Sequence, residues 1–139
     1  LGSASTGSRL VRIGIAVPGL VHDATGLVRF APNLGWSDVA LTPMVASRIG
    51  LQVPVRLGND AELGALAEHI RGAGRHLSHL VYLSCDVGVG GGVIVEGLPM
   101  RGASGYAGEV GHQRFDNGSA RCRCGRRPRA PRPKASRWR

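Results

Sequence analysis

Three groups of residues have the types and spacing to do chemistry. Asn59-Asp60 stands where an apolar run gives way to a helical pattern. A carboxylate at such a junction caps the helix by accepting backbone N–H bonds. At the C-terminal edge of an open α/β sheet, where such sheets bind ligands, it can also take a proton from a substrate hydroxyl. The second group, Asp86-Val87-Gly88-Val89-Gly90-Gly91-Gly92, lies between two apolar runs. Its glycines let the backbone approach an anion and aim N–H groups at it. A tight hairpin turn is the alternative. No Gly-Lys-Ser/Thr follows, and a strand follows instead of a helix, so this is neither a Walker loop nor a dinucleotide fingerprint. The third group is Glu109 and His112 followed by Cys122-Arg123-Cys124. One His and two Cys are ligands that zinc takes, one short of the usual tetrahedral set. His22, His69, His76 and His79 have no partner pattern and read as surface or loop residues. Trp36 and Tyr106 have the shape to stack on a sugar but read first as packing residues.

Composition limits what these groups serve. The 139 residues are 42% hydrophobic, which suits a packed core and excludes a disordered or fibrous chain. No run approaches the ~18 apolar residues of a membrane helix. No basic-then-apolar leader opens the chain, so a cytoplasmic protein without membrane contact is expected. Eighteen Lys+Arg oppose nine Asp+Glu, but half of the cations, eight Arg and Lys134, lie within 121–139, which has no acid. Residues 1–120 are balanced, so the basic character belongs to a tail and does not argue for a nucleic-acid-binding fold. An odd cysteine count argues against a disulfide framework. Cys85 closes the apolar run Leu80 to Ser84 and reads as a buried thiol.

The elements that must position these groups form a mixed α/β pattern. Strands are expected over 10–17, 28–31, 53–57, 79–85 and 93–95. Residues 32–37 read as a loop. A helix is expected over 38–49, capped by Ser37 or Asp38, with Pro43 in its first turn and Gly50 as its stop. The clearest helix is 60–71, where Leu63, Leu66, Ala67 and Ile70 repeat at i, i+3, i+4, i+7. Asn59 or Asp60 caps it, and Gly72 and Gly74 end it. Residues 86–92 read as a glycine loop, 97–105 as a hairpin or loop, and 106–112 as a helix start or tight turn. Domain organisation follows: 1–9 a linker or ragged start, 10–125 the folded part, 126–139 a basic tail. The tail, RRPRAPRPKASRWR, has too few aliphatic residues to bury a core and is expected to be disordered.

Taken together, Ala31-Pro32-Asn33-Leu34-Gly35-Trp36, Asn59-Asp60-Ala61, the Asp86 to Gly92 run, Ala107-Gly108-Glu109-Val110-Gly111-His112 and Cys122-Arg123-Cys124-Gly125 resemble the ROK family (repressor, open reading frame, kinase). The resemblance covers roughly residues 10–125. It implies part of an actin-like ATPase (ribonuclease H-like) fold, the end of lobe one and the start of lobe two. It implies that Asn59 and Asp60 bind sugar hydroxyls, with Asp60 the catalytic base in a kinase. It further implies sugar contacts from Glu109 and His112, zinc ligation by His112, Cys122 and Cys124, and nucleotide phosphates near Gly88, Gly90, Gly91 and Gly92.

Members of the family are sugar kinases or sugar-responsive regulators. Tyr82-Leu83-Ser84 before the glycine run, and the stretch Arg101 to Glu109, look most like actinobacterial-type ROK transcriptional regulators. Val87 stands where many kinases show Thr. The expected function is the sugar-sensing ligand domain of a regulator, reaching DNA only through a helix-turn-helix upstream of Leu1. The alternative is a piece of a glucokinase-like, ATP-dependent sugar kinase, which would need ATP and Mg. The family's Asp-x-Gly-Gly-Thr loop is missing, and Arg126-Arg127-Pro128-Arg129 stands where Gly-Cys-x-Glu is expected, so the zinc site is incomplete. The chain therefore reads as a middle fragment of a homo-oligomeric parent, without kinase activity of its own. A reading-frame shift after about Gly125–Arg127 would account for the tail; a polybasic arm for DNA or RNA is the rival.

Overall fold

A computed structural model describes residues 9–50, 52–103, 105–112 and Cys124. The expectations for residues 1–8, for Cys122 and for the tail from 126 lie outside these residues. The apolar run from Leu10 becomes strand β1 only over Ile13–Val17. Leu10 and Val11 precede the first strand pair and stay exposed. β1 runs parallel to a later strand, Val55–Asn59, in register from Ile13↔Val55 to Val17↔Asn59. That pairing delivers Asn59 to the C-terminal edge of the two strands.

Between them lies an antiparallel meander of β2 (Leu20–His22), β3 (Leu27–Ala31) and β4 (Trp36–Val39). Both β2 and β4 depart from the sequence reading. β2 is only three residues long, too short to show alternation. β4 occupies residues assigned to a loop and a helix start. Asp38 sits at φ 52° and its carboxylate pairs with Arg29 on β3 at 2.6 Å. A helix cannot begin there, and α1 spans Leu41–Ile49 with Ala40 at its N-cap and no side-chain cap bond. Neither Ser37 nor Asp38 caps it. Gly50 does end it, in the left-handed conformation at φ 65°. Val17, Val21, Val28, Ala31 and Leu57 bury together, with Ile15, Trp36, Val39 and Leu41 packed around them. Trp36 is thus a packing residue of this core.

β5 (Val55–Asn59) leads directly into α2 (Asp60–Arg71), the helix the periodicity predicts. A second antiparallel sheet follows: β6 (Leu80–Cys85), β7 (Val89–Val95) and β8 (Leu98–Pro99). The expected glycine loop over 86–92 is therefore only a turn at 86–88; Gly90, Gly91 and Gly92 lie inside β7. Their lack of side chains lets α2 lie close on the sheet. A Cβ on Gly90 would stand 2.8 Å from Ala61 Cβ, and one on Gly92 only 2.5 Å from Ala65 Cβ. Tyr82 fills the matching space over Gly64 of α2, 2.7 Å from a Cβ there. β6 alternates, so Val81, Leu83 and Cys85 turn to the face α2 does not cover. Cys85 is exposed, not buried as its apolar run suggested. After β8 the chain ends its described course in a short 3₁₀ turn, Val110–His112, seated on β7 with Val110 over Gly91. Gly111 presses against the Val89 carbonyl, where no Cβ fits. No helix among the described residues is long and apolar enough to cross a membrane.

Candidate functional site

The turns between these elements open onto one cleft of about 590 Å³. Pro18 and Gly19 after β1, the Pro32–Leu34 turn, Asn59 and Asp60 at the head of α2, and the Ser84 to Gly90 stretch line it. Glu109, Gly111, His112 and Cys124 close the remaining side. Residues 50 positions apart in sequence thus share one space, because the parallel β1–β5 pair and the β6–β7 hairpin present their turns to it.

Asn59 does two structural jobs there. Its Oδ1 accepts from the N–H groups of Ala61 at 2.9 Å and Glu62 at 3.0 Å, capping α2. Its Nδ2 donates to the Gly19 carbonyl at 2.9 Å, tying the α2 head to the turn after β1. A primary amide has two N–H donors, so one remains for a ligand. Asp60 Oδ1 accepts from Ala61 N at 2.9 Å, which fixes its rotamer and leaves Oδ2 open to the cleft among the described residues. At this junction Asn59 is the cap, and Asp60, bonded to Ala61 N, lines the cleft.

Across the cleft, His112 stands between two partners. Its Nε2 lies 3.6 Å from Glu109 Oε2, and its Nδ1 lies 3.7 Å from Cys124 Sγ. Two donors sharing a tetrahedral zinc at ordinary Zn–N and Zn–S lengths stand ~3.5 Å apart. The His112–Cys124 pair fits such an ion on Nδ1, with Glu109 placed to hold the other ring nitrogen. Cys122, the expected third ligand, lies outside the described residues, and no group of three metal-ligating side chains occurs among those described.

Of the glycines, Gly88 and Gly90 line the cleft, whereas Gly91 and Gly92 do not. Their backbone packs under the 3₁₀ turn and α2. Asp86, the first residue of the glycine run, lines the cleft, as do Asn33 and Ser84, which were given no role in the site. The sequence signal for Asn33 is its place in the Ala31 to Trp36 stretch of the family resemblance, and the turn there brings its Nδ2 to 4.0 Å from where a Gly88 Cβ would sit. Beside the site, Arg101 pairs with Asp23 at 3.2 Å, and its carbonyl accepts from Ala107 N at 3.1 Å. Glu62 on α2 has its carboxyl raised above the ordinary value, first by burial; Arg101 opposes the shift, while Glu109 and Asp23 add to it.

A family model described as the ROK family matches residues 3–128. The xylose repressor of Caldicellulosiruptor bescii is 41% identical over 116 residues, 84% of this chain and 29% of that protein. A ROK family glucokinase from Streptomyces griseus, solved in complex with glucose and AMPPNP, is 36% identical with a TM-score of 0.80 over 88% of this chain and 39% of that one. A ROK family transcriptional regulator, described as a homologue of the E. coli MLC protein, is 34% identical with a TM-score of 0.72 over 86% of this chain and 30% of that one. The chain spans about a third of the length of these relatives.

Proposed function

The chain belongs to the ROK family and carries part of its actin-like ATPase fold, and on that premise we propose that it is the sugar-sensing portion of a transcriptional regulator. One observation carries the reading: Asn59, Asp60, Glu109 and His112 line a single cleft. A sugar hydroxyl both donates and accepts, and this set answers both. Asp60 Oδ2 and the Glu109 carboxylate accept; the remaining Asn59 N–H donates. Charge-assisted bonds of this kind orient a polyol without covalent chemistry. The 41% identity to the xylose repressor of C. bescii supports the regulator reading. DNA contact would come through a helix-turn-helix outside this chain. Thiol-bearing Cys85, Cys122 and Cys124 suit a reducing cytoplasm.

Zinc belongs to the same proposal, held by His112, Cys124 and Cys122. When bound it supplies a fixed cross-link. The residues it would hold are those of the Glu109–His112 turn, and so the orientation of the Glu109 carboxylate.

Titration calorimetry with D-xylose and D-glucose tests the reading. Saturable binding of one sugar is expected, weakened roughly 10-fold or more in Asp60→Asn, since a hydrogen bond to a charged group contributes about 1.5–3 kcal/mol. Absence of binding by either sugar, in protein that unfolds cooperatively, would overturn it. The second reading, a portion of an ATP-dependent sugar kinase, is favoured by one observation: Asp60 faces the cleft together with the Asp86–Gly88 turn, in a fold that superposes at TM-score 0.80 on a glucokinase. There Asp60 would take the proton from the attacking hydroxyl. Sugar-dependent release of ADP from ATP would establish it.

A further inference from the structure

Asp23, Glu62, Arg101 and Glu109 come from separate places in the chain and meet beside the cleft. Arg101, just after β8, donates from Nη1 to Asp23 Oδ2 at 3.2 Å. Glu62 stands on the first turn of α2. Burial raises its carboxyl most; among the described residues Arg101 alone opposes the rise, and Glu109 and Asp23 add to it. Three carboxylates thus face one guanidinium. A single pair as exposed as Arg101–Asp23 contributes little. A cation shared by three acids matters more, because removing it leaves them to repel one another.

Both ends of the Arg101–Asp23 link are held. Asp23 sits in the β2–β3 turn, where the Gly26 N–H bonds to the carbonyls of His22 at 2.9 Å and Asp23 at 3.2 Å. Arg101 follows Met100, whose N–H donates to the Val93 carbonyl on β7 at 2.8 Å. The Arg101 carbonyl in turn accepts from Ala107 N at 3.1 Å, so residue 101 fixes where the chain arrives at 107. Glu109 comes two residues later. Beyond it, Val110 N bonds to the Gly108 carbonyl at 2.6 Å and His112 N to the Glu109 carbonyl at 3.2 Å. A displacement at residue 101 is therefore passed to the turn that carries Glu109.

We propose that Arg101 is a positioning residue for Glu109: it ties the Glu109–His112 turn to the β2–β3 turn through Asp23 and offsets the acids that would drive Glu109 from the cleft. Arg101 does not itself line the cleft, so it acts through Glu109 and not on a ligand. Its consequence for binding rests on the reading of the cleft as a sugar site; the link itself does not.

Arg101→Met keeps the apolar stem and removes the charge, whereas Arg101→Lys keeps the charge. Amide exchange is read on the whole 139-residue chain with a chelator present, so that no metal holds His112. In Arg101→Met the Ala107, Val110 and His112 amides are expected to exchange about 5-fold faster or more, with the β7 amides unchanged. Arg101→Lys is expected to stay near the parent. Glu62→Gln added to Arg101→Met is expected to recover most of the protection, which a merely structural arginine would not allow. Calorimetric titration of the same variants with D-xylose and D-glucose reads the consequence. The sugar that the parent binds is expected to bind about 5-fold more weakly to Arg101→Met, and near the parent's affinity once Glu62→Gln is added. Parent-like exchange in Arg101→Met, or a loss that Arg101→Lys shares and Glu62→Gln does not relieve, would overturn the proposal. So would sugar binding by the parent that Arg101→Met leaves unchanged. A parent that binds neither sugar but shows the expected exchange pattern would overturn the sugar reading and support the Arg101 link.

Discussion

Asn59 commits both sides of its amide, Oδ1 to the first turn of α2 and Nδ2 to Gly19, while Asp60 beside it turns an oxygen to the cleft. Their substitutions should therefore separate. Asn59→Ala removes the cap and the tie across the site, and a loss of about 1–2 kcal/mol is expected in chemical denaturation. Asp60→Asn keeps an acceptor for Ala61 N, so its unfolding midpoint should stay near that of the parent while ligand affinity falls. The cap and the place of this pair at the cleft were legible in the sequence because both follow from residue type at a strand-to-helix junction. Cys85 was not legible. Its local run is apolar, but burial depends on whether another element covers that face of β6, and α2 covers the other one.

Packing between elements explains the glycine run. Gly92 is a contact point of α2 on β7, with Ala65 Cβ at 2.5 Å and the Ala61 carbonyl at 3.0 Å from any added Cβ. Gly92→Ala must push backbone aside, not a flexible side-chain tip, and about 1–3 kcal/mol of destabilisation is expected by thermal unfolding. A glycine stretch gives no alternation to read, so strand and loop look alike in sequence, and residues 89–92 read as loop where β7 already begins. The start of α1 was lost for a different reason. The positive φ of Asp38, supported by Arg29 from β3, is a tertiary choice that local helix signals do not encode. Helix 60–71, by contrast, was fully readable because its periodicity and both ends agree.

Glu62 links α2 to the segment that carries Glu109. Its carboxyl is raised from 4.5 mainly by burial, against the pull of Arg101 and with the push of Glu109 and Asp23. The folded state thus binds this proton more tightly than the unfolded state. Ionising Glu62 opposes folding, so its contribution is absent well below pH 4.5 and grows unfavourable as pH rises above that value. Glu62→Gln should raise the unfolding temperature at neutral pH and leave it nearly unchanged in acid, as a pH series of thermal melts would read. The adjoining turn should respond to metal. Zinc is expected to slow alkylation of Cys124 and amide exchange over 105–112, and a chelator to reverse both, since thiolate ligation is linked to fold and pH.

At the scale of the whole molecule, the described residues form three small sheets whose turns meet at one cleft, in a chain spanning about a third of its relatives. The order of motifs made the family and the two-part α/β architecture readable. The central claim is that the cleft between Asn59-Asp60 and the Glu109–His112 turn binds a sugar. The most direct test is a two-dimensional amide NMR titration of the labelled chain with D-xylose and with D-glucose. Saturable shifts confined to residues near Gly19, Asn59 to Ala61, Ser84 to Gly90 and Glu109 to His112 are the result predicted. Shifts absent for both sugars, or centred on α1 and its surroundings instead, would contradict it.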